Sequence, residues 1–472
     1  MTLNKINYKK FILPIAVGLI IWFLAPIKPA GVSILAWHML AIFVATILGC
    51  ITQPLPIAGV ALIGITLSVL LGVVKMEDAA VGFGNDTVWM IGMAYFLSRG
   101  FINTGLGRRI AMIFVRLFGK RTLGLSYALI GVDLVTAPAT PSNTARAGGI
   151  VMPIIDSLSE SFGSTPKDGT QSKIGSYLMF TEFHGNIITS GMFMTAMAPN
   201  LVAVALAKGM HVQISWMGWF IAALVPGIIC LVLVPWLIYK MYPPEIKETP
   251  NAKEWANKEL AEMGKMSLPE KIMATVFVIA LFLWMISSFI GLEASTVAFL
   301  AVVLLLLTGV LSVKDILNET GAWNTIIWFS ILIFMANELN VLGLIPWLSK
   351  TLGSSLHGMS WEIVLLVLVL FYFYSHYLFA SGTAHVTAMY GALLAVAISA
   401  GAPATFAAMI LGFTGAIFGS TTQYANGPAS ALFGAGYNKQ SDWWRLNFIL
   451  GIVYIIVWGG IGSLWMKVLG MW

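Results

Sequence analysis

The chain has 472 residues, of which 58% are hydrophobic and 10% charged, against roughly a quarter charged in a soluble globular domain. Seventeen Trp, 46 Gly and 19 Pro, with a mean hydropathy of +0.88, fit a polytopic helical membrane protein, in which Gly and Pro are common inside helices. The net charge of +6 is small for this length, so nucleic acid is not an expected partner, and a soluble enzyme, a disordered protein and a disulfide scaffold are excluded.

A spanning helix needs about 20 apolar residues. Lys5, Lys9 and Lys10 precede a first apolar stretch at 11–26. No small-x-small cleavage site follows it, so residues 1–32 are read as a retained helix with a cytoplasmic N-terminus. Spans are predicted at 33–52, 55–74 and 87–106, and then a basic loop carries Arg108, Arg109, Arg116, Lys120 and Arg121. Four crossings return the chain to the cytoplasm, where an excess of Lys and Arg belongs. Cys50 and Cys230 lie inside apolar runs and read as inert buried thiols.

The apolar stretch 123–160 is interrupted by Thr136-Ala-Pro-Ala-Thr-Pro-Ser-Asn-Thr144. As a full span it would put the following Lys-rich segment outside; as a re-entrant hairpin it leaves that segment in the cytoplasm, and the hairpin is the reading adopted. Spans at 173–208 and 217–239 lead to a polar linker, 241–270, with Lys247, Lys253, Lys258 and Lys265 among glutamates, which predicts an amphipathic helix. The second half repeats the order: spans at 271–291, 294–312 and 324–347, a hairpin at 361–400 broken at Ala380-Ser-Gly-Thr383, a broken span at 403–437 and a last span at 444–468. The expected fold is an all-α polytopic membrane protein of about eleven transmembrane helices plus two re-entrant hairpins, with the C-terminus outside. Repeats 33–240 and 271–472 are related by inversion, so their hairpins enter from opposite faces.

Each hairpin is followed by a span interrupted by polar and Gly/Pro residues: Thr189-Ser-Gly-Met-Phe-Met-Thr-Ala-Met-Ala-Pro-Asn200 and Gly419-Ser-Thr-Thr-Gln-Tyr-Ala-Asn-Gly-Pro428. Matching interruptions in two halves point to a transporter's midplane site. Unwound backbone cannot face lipid, since each unsatisfied N–H or C=O there costs several kcal/mol, but it can line a cavity. Half-helix N-termini then offer free N–H groups and a positive dipole end to an anion. Two opposed tips would hold two anionic groups a few ångströms apart, so a small dianion is the expected substrate. Ser142, Asn143 and Thr144 of one tip and Ser381 and Thr383 of the other add donors.

Arg146 and His385 each lie four residues after the first Ser of their tip. A charge at membrane depth is rare and usually functional. Asp133, Glu182, His184, Glu338 and His376 are assigned structural roles, with Asp133 a candidate ion-pair partner of Arg146 and Glu182 and His184 expected to pair with Lys or Arg. The sequence has no metal-ligand spacing, no P-loop for ATP and no nucleophile–base pairing, so neither enzyme activity nor a cofactor is expected.

Pro141-Ser-Asn-Thr-Ala-Arg-Ala-Gly-Gly149 and Ser375-His-Tyr-Leu-Phe-Ala-Ser-Gly-Thr-Ala-His385 resemble signature stretches of the divalent anion/sodium symporter (DASS) superfamily. The closer likeness is to its exchanger branch, with plastid 2-oxoglutarate/malate translocators and bacterial citrate/succinate and tartrate/succinate antiporters. The resemblance implies a homodimer whose protomers each have a scaffold domain and a mobile transport domain, working as an elevator. It implies that Ser142, Asn143, Thr144, Ser381, Gly382 and Thr383 bind substrate carboxylates, with Gly382 standing where the symporter pattern has Asn. The broken spans add Pro199, Asn200, Thr421, Thr422, Asn426, Gly427 and Pro428. Sodium-coupled members place cations beside these tips, where Arg146 and His385 are expected to supply the charge instead. The expected function is sodium-independent, obligatory exchange of four- to six-carbon dicarboxylates, in a bacterial plasma membrane since no transit peptide precedes the first helix. A sodium-dicarboxylate symporter, an intramembrane enzyme using His376, His385 and Glu182, and an anion channel are the alternatives.

Overall fold

A computed structural model describes residues 7–355 and 359–472, so Lys5 lies outside the described residues. The described chain is helical, with one isolated β-bridge between Arg121 and Glu248. Among the described residues eight helices are long and apolar enough to cross a membrane, and Ile57–Leu70, Ala294–Leu307 and Ala404–Ser420 are shorter apolar helices. Exposed Ile12, Leu70, Phe289 and Leu307 put apolar side chains on the outside of the bundle, a surface that hydrocarbon covers and water would not tolerate.

After α1 (Ile12–Phe23), one order of elements occurs twice. The first pass is α2 (Ile34–Thr52), α3 (Ile57–Leu70), the short α4 (Met76–Ala80), α5 (Asp86–Thr104), α6 (Leu106–Phe118), the hairpin arms α7 (Thr122–Thr136) and α8 (Met152–Ser161), the broken pair α9 (Gly175–Met192) and α10 (Ala198–Gly209), and α11 (Trp216–Met241). The linker helix is α12 (Asn251–Met263). The second pass is α13 (Leu268–Ile290), α14 (Ala294–Leu307), the short α15 (Val313–Asn318), α16 (Thr320–Val341), α17 (Leu344–Ser355), the arms α18 (Trp361–Ser375) and α19 (Gly382–Ser399), the broken pair α20 (Ala404–Ile417) and α21 (Gly427–Gly434), and α22 (Gln440–Tyr454), continued through a π-helical turn into α23 (Gly462–Val468).

The segment expected to be a basic loop is largely helix α6. Gly105, at φ +74°, ends α5 in the left-handed conformation that glycine adopts freely, and the chain restarts at once. Leu106, Ile110 and Phe114 recur every four residues, and α6 lays its apolar side on α7 and α12. Arg109 is drawn inward, its Nε 2.6 Å from Glu270 Oε1 and its Nη1 2.9 Å from the carbonyl of Gly264. The predicted linker helix is present, tied to α6 by the Arg108–Glu259 ion pair.

Two sets of helices pack separately and meet at the middle. α2, α3, α5, α14 and α16 lie on one another; α9 packs on α7, α11 and α20, and α10 on α19 and α20. Every residue of α9 is buried, including Thr181, Glu182, His184, Asn186, Thr189 and Ser190. Such a helix must look for partners for its polar groups inside the protein, and three of them, Asn186, Thr189 and Ser190, serve the first hairpin.

Candidate anion site between two hairpin tips

Four helical segments begin at one cavity. The Ser142 hydroxyl accepts from the Ala145 N–H (3.1 Å) where the first hairpin turns back, and the Ser381 hydroxyl accepts from the Ala384 N–H (3.3 Å) in the second. Asn426 caps α21 by accepting from the Ala429 N–H (2.9 Å), and α10 starts at Ala198 with Pro199 in its first turn. Proline suits that place because its missing N–H would have no partner there. The cavity, of about 270 Å³, is bounded by Ser142, Asn143 and Thr144, by Ser381, Gly382 and Thr383, by Pro199, and by Asn426 and Gly427.

Its wall is electrically neutral in side chains: hydroxyls, amides and small residues, with no Lys, Arg, Asp, Glu or His. Positive potential comes from the backbone. Each helix start carries about +0.5 of an elementary charge, so four of them approach the charge of a dianion of opposite sign. The caps also leave the serine O–H protons free to donate.

The tips fit tightly on one side and loosely on the other. A Cβ on Gly427 would stand 2.0 Å from Thr144 Oγ1, so the first tip seats directly on the start of α21. A Cβ on Gly382 would meet only Phe418 Cε2 at 3.6 Å and Pro199 Cγ at 3.8 Å, which is ordinary contact.

Four of the expected site residues do not reach this cavity. Asn200 turns its amide to the carbonyls of Ser190 (2.7 Å) and Phe193 (3.0 Å), closing the end of α9. Thr421 and Thr422 are buried in the break after α20, and Pro428 lies within the first turn of α21. They shape the breaks and are absent from the wall.

Arg146 and His385 are also off the wall, and neither is a bare cation. Arg146 is fully buried; its Nε lies 3.1 Å from Asp133 Oδ1. Its Nη1 donates to the Thr140 and Ala196 carbonyls and its Nη2 to Ser190 Oγ at 2.8 Å. Asp133 accepts as well from Asn186 Nδ2 (3.0 Å) and Thr189 Oγ1. The expected net charge beside the substrate is therefore corrected: the ion pair sums to zero. The physical reason is that an unpaired charge in a dry interior costs several kcal/mol, and α7 supplies the counter-ion from the facing arm of the same hairpin.

His385 is embedded differently. Its Nδ1 lies 2.9 Å from His376 Nδ1, His376 Nε2 lies 3.0 Å from the Ala425 carbonyl, and His385 Nε2 lies 3.1 Å from Ser375 Oγ. The two facing Nδ1 atoms need one proton between them, and the Ala425 carbonyl takes the proton of His376 Nε2; the Ser375 hydroxyl stands between His385 Nε2 and the Tyr372 carbonyl, the latter at 3.1 Å. Phe379 and Phe418 stack on the His385 ring at 4.0 and 4.6 Å. The second broken span is thus met by His376, a residue assigned only a structural role from sequence.

Among the described residues neither Glu182 nor His184 forms an ion pair with Lys or Arg, although Glu182 lies within reach of the Arg146 charge. His184 bonds Tyr454 and Asn447, both at 3.0 Å, and the Glu182 carboxyl has no hydrogen-bond partner among the described residues. Gln53 and Tyr95 join the cavity wall unannounced by any local signal in the sequence; only packing brings α2 and α5 to the tips.

Comparison with known proteins agrees with this reading of the fold. The chain is 45% identical over 467 residues to dicarboxylate transporter 1, chloroplastic, of Arabidopsis thaliana, covering 98% of this chain and 84% of the relative. It is 38% identical to the citrate/succinate antiporter of Escherichia coli K12 over the whole of both chains. The crystal structure of the Alcanivorax borkumensis YdaH transporter superposes with a TM-score of 0.58 at 11% identity, covering 97% of this chain and 98% of that one, a likeness of fold alone. Residues 5–472 match the family described as the sodium:sulfate symporter transmembrane region; the chain belongs to that family of integral membrane transporters, as the two tip motifs indicated.

Proposed function

We propose that this protein exchanges four- to six-carbon dicarboxylates across a bacterial plasma membrane, one inward for one outward, without sodium. The observation that carries the reading is the convergence of four helix N-termini on a neutral-walled cavity. One carboxylate takes the Ser142-Asn143-Thr144 tip and the other the Ser381-Gly382-Thr383 tip. A dicarboxylate transporter and a citrate/succinate antiporter among its relatives support the same substrate class.

Independence from sodium is supported by what lies behind the tips. Unwound backbone carbonyls in transporters of this kind coordinate cations. Here the Thr140 and Ala196 carbonyls are taken by Arg146 and the Ala425 carbonyl faces His376. Donors that never leave stand where a coupling ion would bind and depart.

Exchange follows from the same electrostatics. Loaded with a dianion, the site is near neutral; empty, four positive helix ends face nothing that balances them. Every 1.4 kcal/mol of that imbalance slows the empty crossing about tenfold. In the motion we propose, a scaffold of α2, α3, α5, α13, α14 and α16 holds still within a homodimer while the hairpins and broken helices of the inverted repeats move as an elevator. The N-terminus is cytoplasmic and the C-terminus outside.

The test is uptake of labelled malate into proteoliposomes preloaded with succinate or left empty, in sodium or choline buffer. Uptake is expected only with internal dicarboxylate and at equal rates in the two buffers. Sodium-driven uptake into empty vesicles would replace this reading with the symporter.

A further inference from the structure

The tips close only part of the cavity. The rest of the wall includes Gln53, at the end of α2, and Tyr95, on α5, both from the set of α2, α3, α5, α14 and α16, which packs chiefly on itself and touches the second hairpin where α2 meets α19. The Tyr95 hydroxyl lies close to the hydroxyls of Thr325 on α16 and Ser142 at the first tip, so it stands where the two sets meet. Gln53 has a left-handed backbone, φ +48° and ψ +60°, although Pro54 follows it and disfavours helical geometry at the residue before. A non-glycine residue held in that region is strained, and such strain collects at functional positions.

Resting on the dicarboxylate reading, we propose that Tyr95 and Gln53 select among dianions by the group a substrate carries between its carboxylates. The tips take the two carboxylates of any such acid and do not distinguish them. The middle of the carbon chain is then presented to this wall. A phenol and a primary amide can each donate and accept a hydrogen bond, which matches the hydroxyl of malate or the keto oxygen of 2-oxoglutarate. Succinate offers them no group to pair with between its carboxylates. A site built to pair a substrate's polar group rejects the analogue that lacks it far better than a site sensing size alone. Because both residues sit on the set that does not carry the tips, the preference belongs to the state in which the two sets meet as they do here.

The full-length protein in succinate-loaded proteoliposomes provides the test, with malate and 2-oxoglutarate competing against labelled succinate from each side of the membrane. Tyr95→Phe is expected to lower the preference for malate and 2-oxoglutarate over succinate about fivefold, the size of one hydrogen bond's contribution, and to do so from one side only. Gln53→Asn keeps a side chain that tolerates the left-handed backbone and shortens the amide; a shift of about two- to threefold is expected, and this variant carries the comparison if Tyr95→Phe fails to assemble. Wild-type exchange with a selectivity ratio unmoved by either substitution, or moved equally from both sides, overturns the proposal while leaving the dicarboxylate reading intact. Absence of wild-type exchange for all three acids overturns both.

Discussion

Behind the first hairpin tip lies a network of charged hydrogen bonds: Arg146 with Asp133, Ser190 and the carbonyls of Thr140 and Ala196. Behind the second lies a stack of rings, His376 on His385 between Phe379 and Phe418, ending on the Ala425 carbonyl. Both arrangements hold unwound backbone with N–H donors fixed to the protein. They differ in what happens when a donor is lost. An ion pair in a dry interior fails severely if one member goes, because the other is left as a buried charge; loss of the His376 ring instead leaves the Ala425 carbonyl and the facing nitrogen of His385 without their partner.

That asymmetry can be broken at its strongest point first. Arg146→Ala strands Asp133 and is expected to destabilise the protein by about 3–5 kcal/mol, seen as a large fall in the melting temperature of the detergent-solubilised protein and loss of exchange. Arg146→Met combined with Asp133→Asn should recover much of the melting temperature, since it leaves no uncompensated charge in the interior. Exchange should stay absent, because the carbonyls of Thr140 and Ala196 remain without their donor. Equal stability of the single and double variants would show that the pair is not what the first tip rests on.

Glycines sharpen the comparison at the next level. Gly427→Ala forces a methyl against Thr144 and should reduce exchange more than tenfold, whereas Gly382→Ala meets only ordinary contacts and should reduce it about two- to threefold. Reversed magnitudes would mean that the second tip, not the first, is the crowded one. The smallest change in stability is expected from His376→Ala, which removes a neutral donor from Ala425 at a cost of about 1–3 kcal/mol, well below that of Arg146→Ala in the same melting assay.

Much of this site was legible before any coordinates, because interruptions in apolar runs are local signals. Ser142-Asn143-Thr144 and Ser381-Gly382-Thr383 announce themselves as small polar tips inside hydrophobic arms, and Asn426 and Gly427 as a break in a long span. Helix α6 was obscured because five basic residues, Arg108, Arg109, Arg116, Lys120 and Arg121, lie in and just after it and mask the spacing of Leu106, Ile110 and Phe114. The Asp133–Arg146 pair was foreseen as an ion pair, but its closure on Thr140 and Ala196 was not, since those atoms are backbone. His376 resembled an ordinary core histidine; nothing in its neighbours reveals that its ring faces Ala425, forty-nine residues away.

The sequence by itself determined the helical membrane class, the two tips and the broken spans, since hydropathy and the placement of Gly, Pro and small polar residues act over a few turns of chain. Only tertiary structure decided which charges survive as charges and which groups face the cavity. Those depend on counter-ions and walls brought from distant helices, Asp133 to Arg146 and Gln53 and Tyr95 to the cavity, and no local pattern encodes a meeting made by packing.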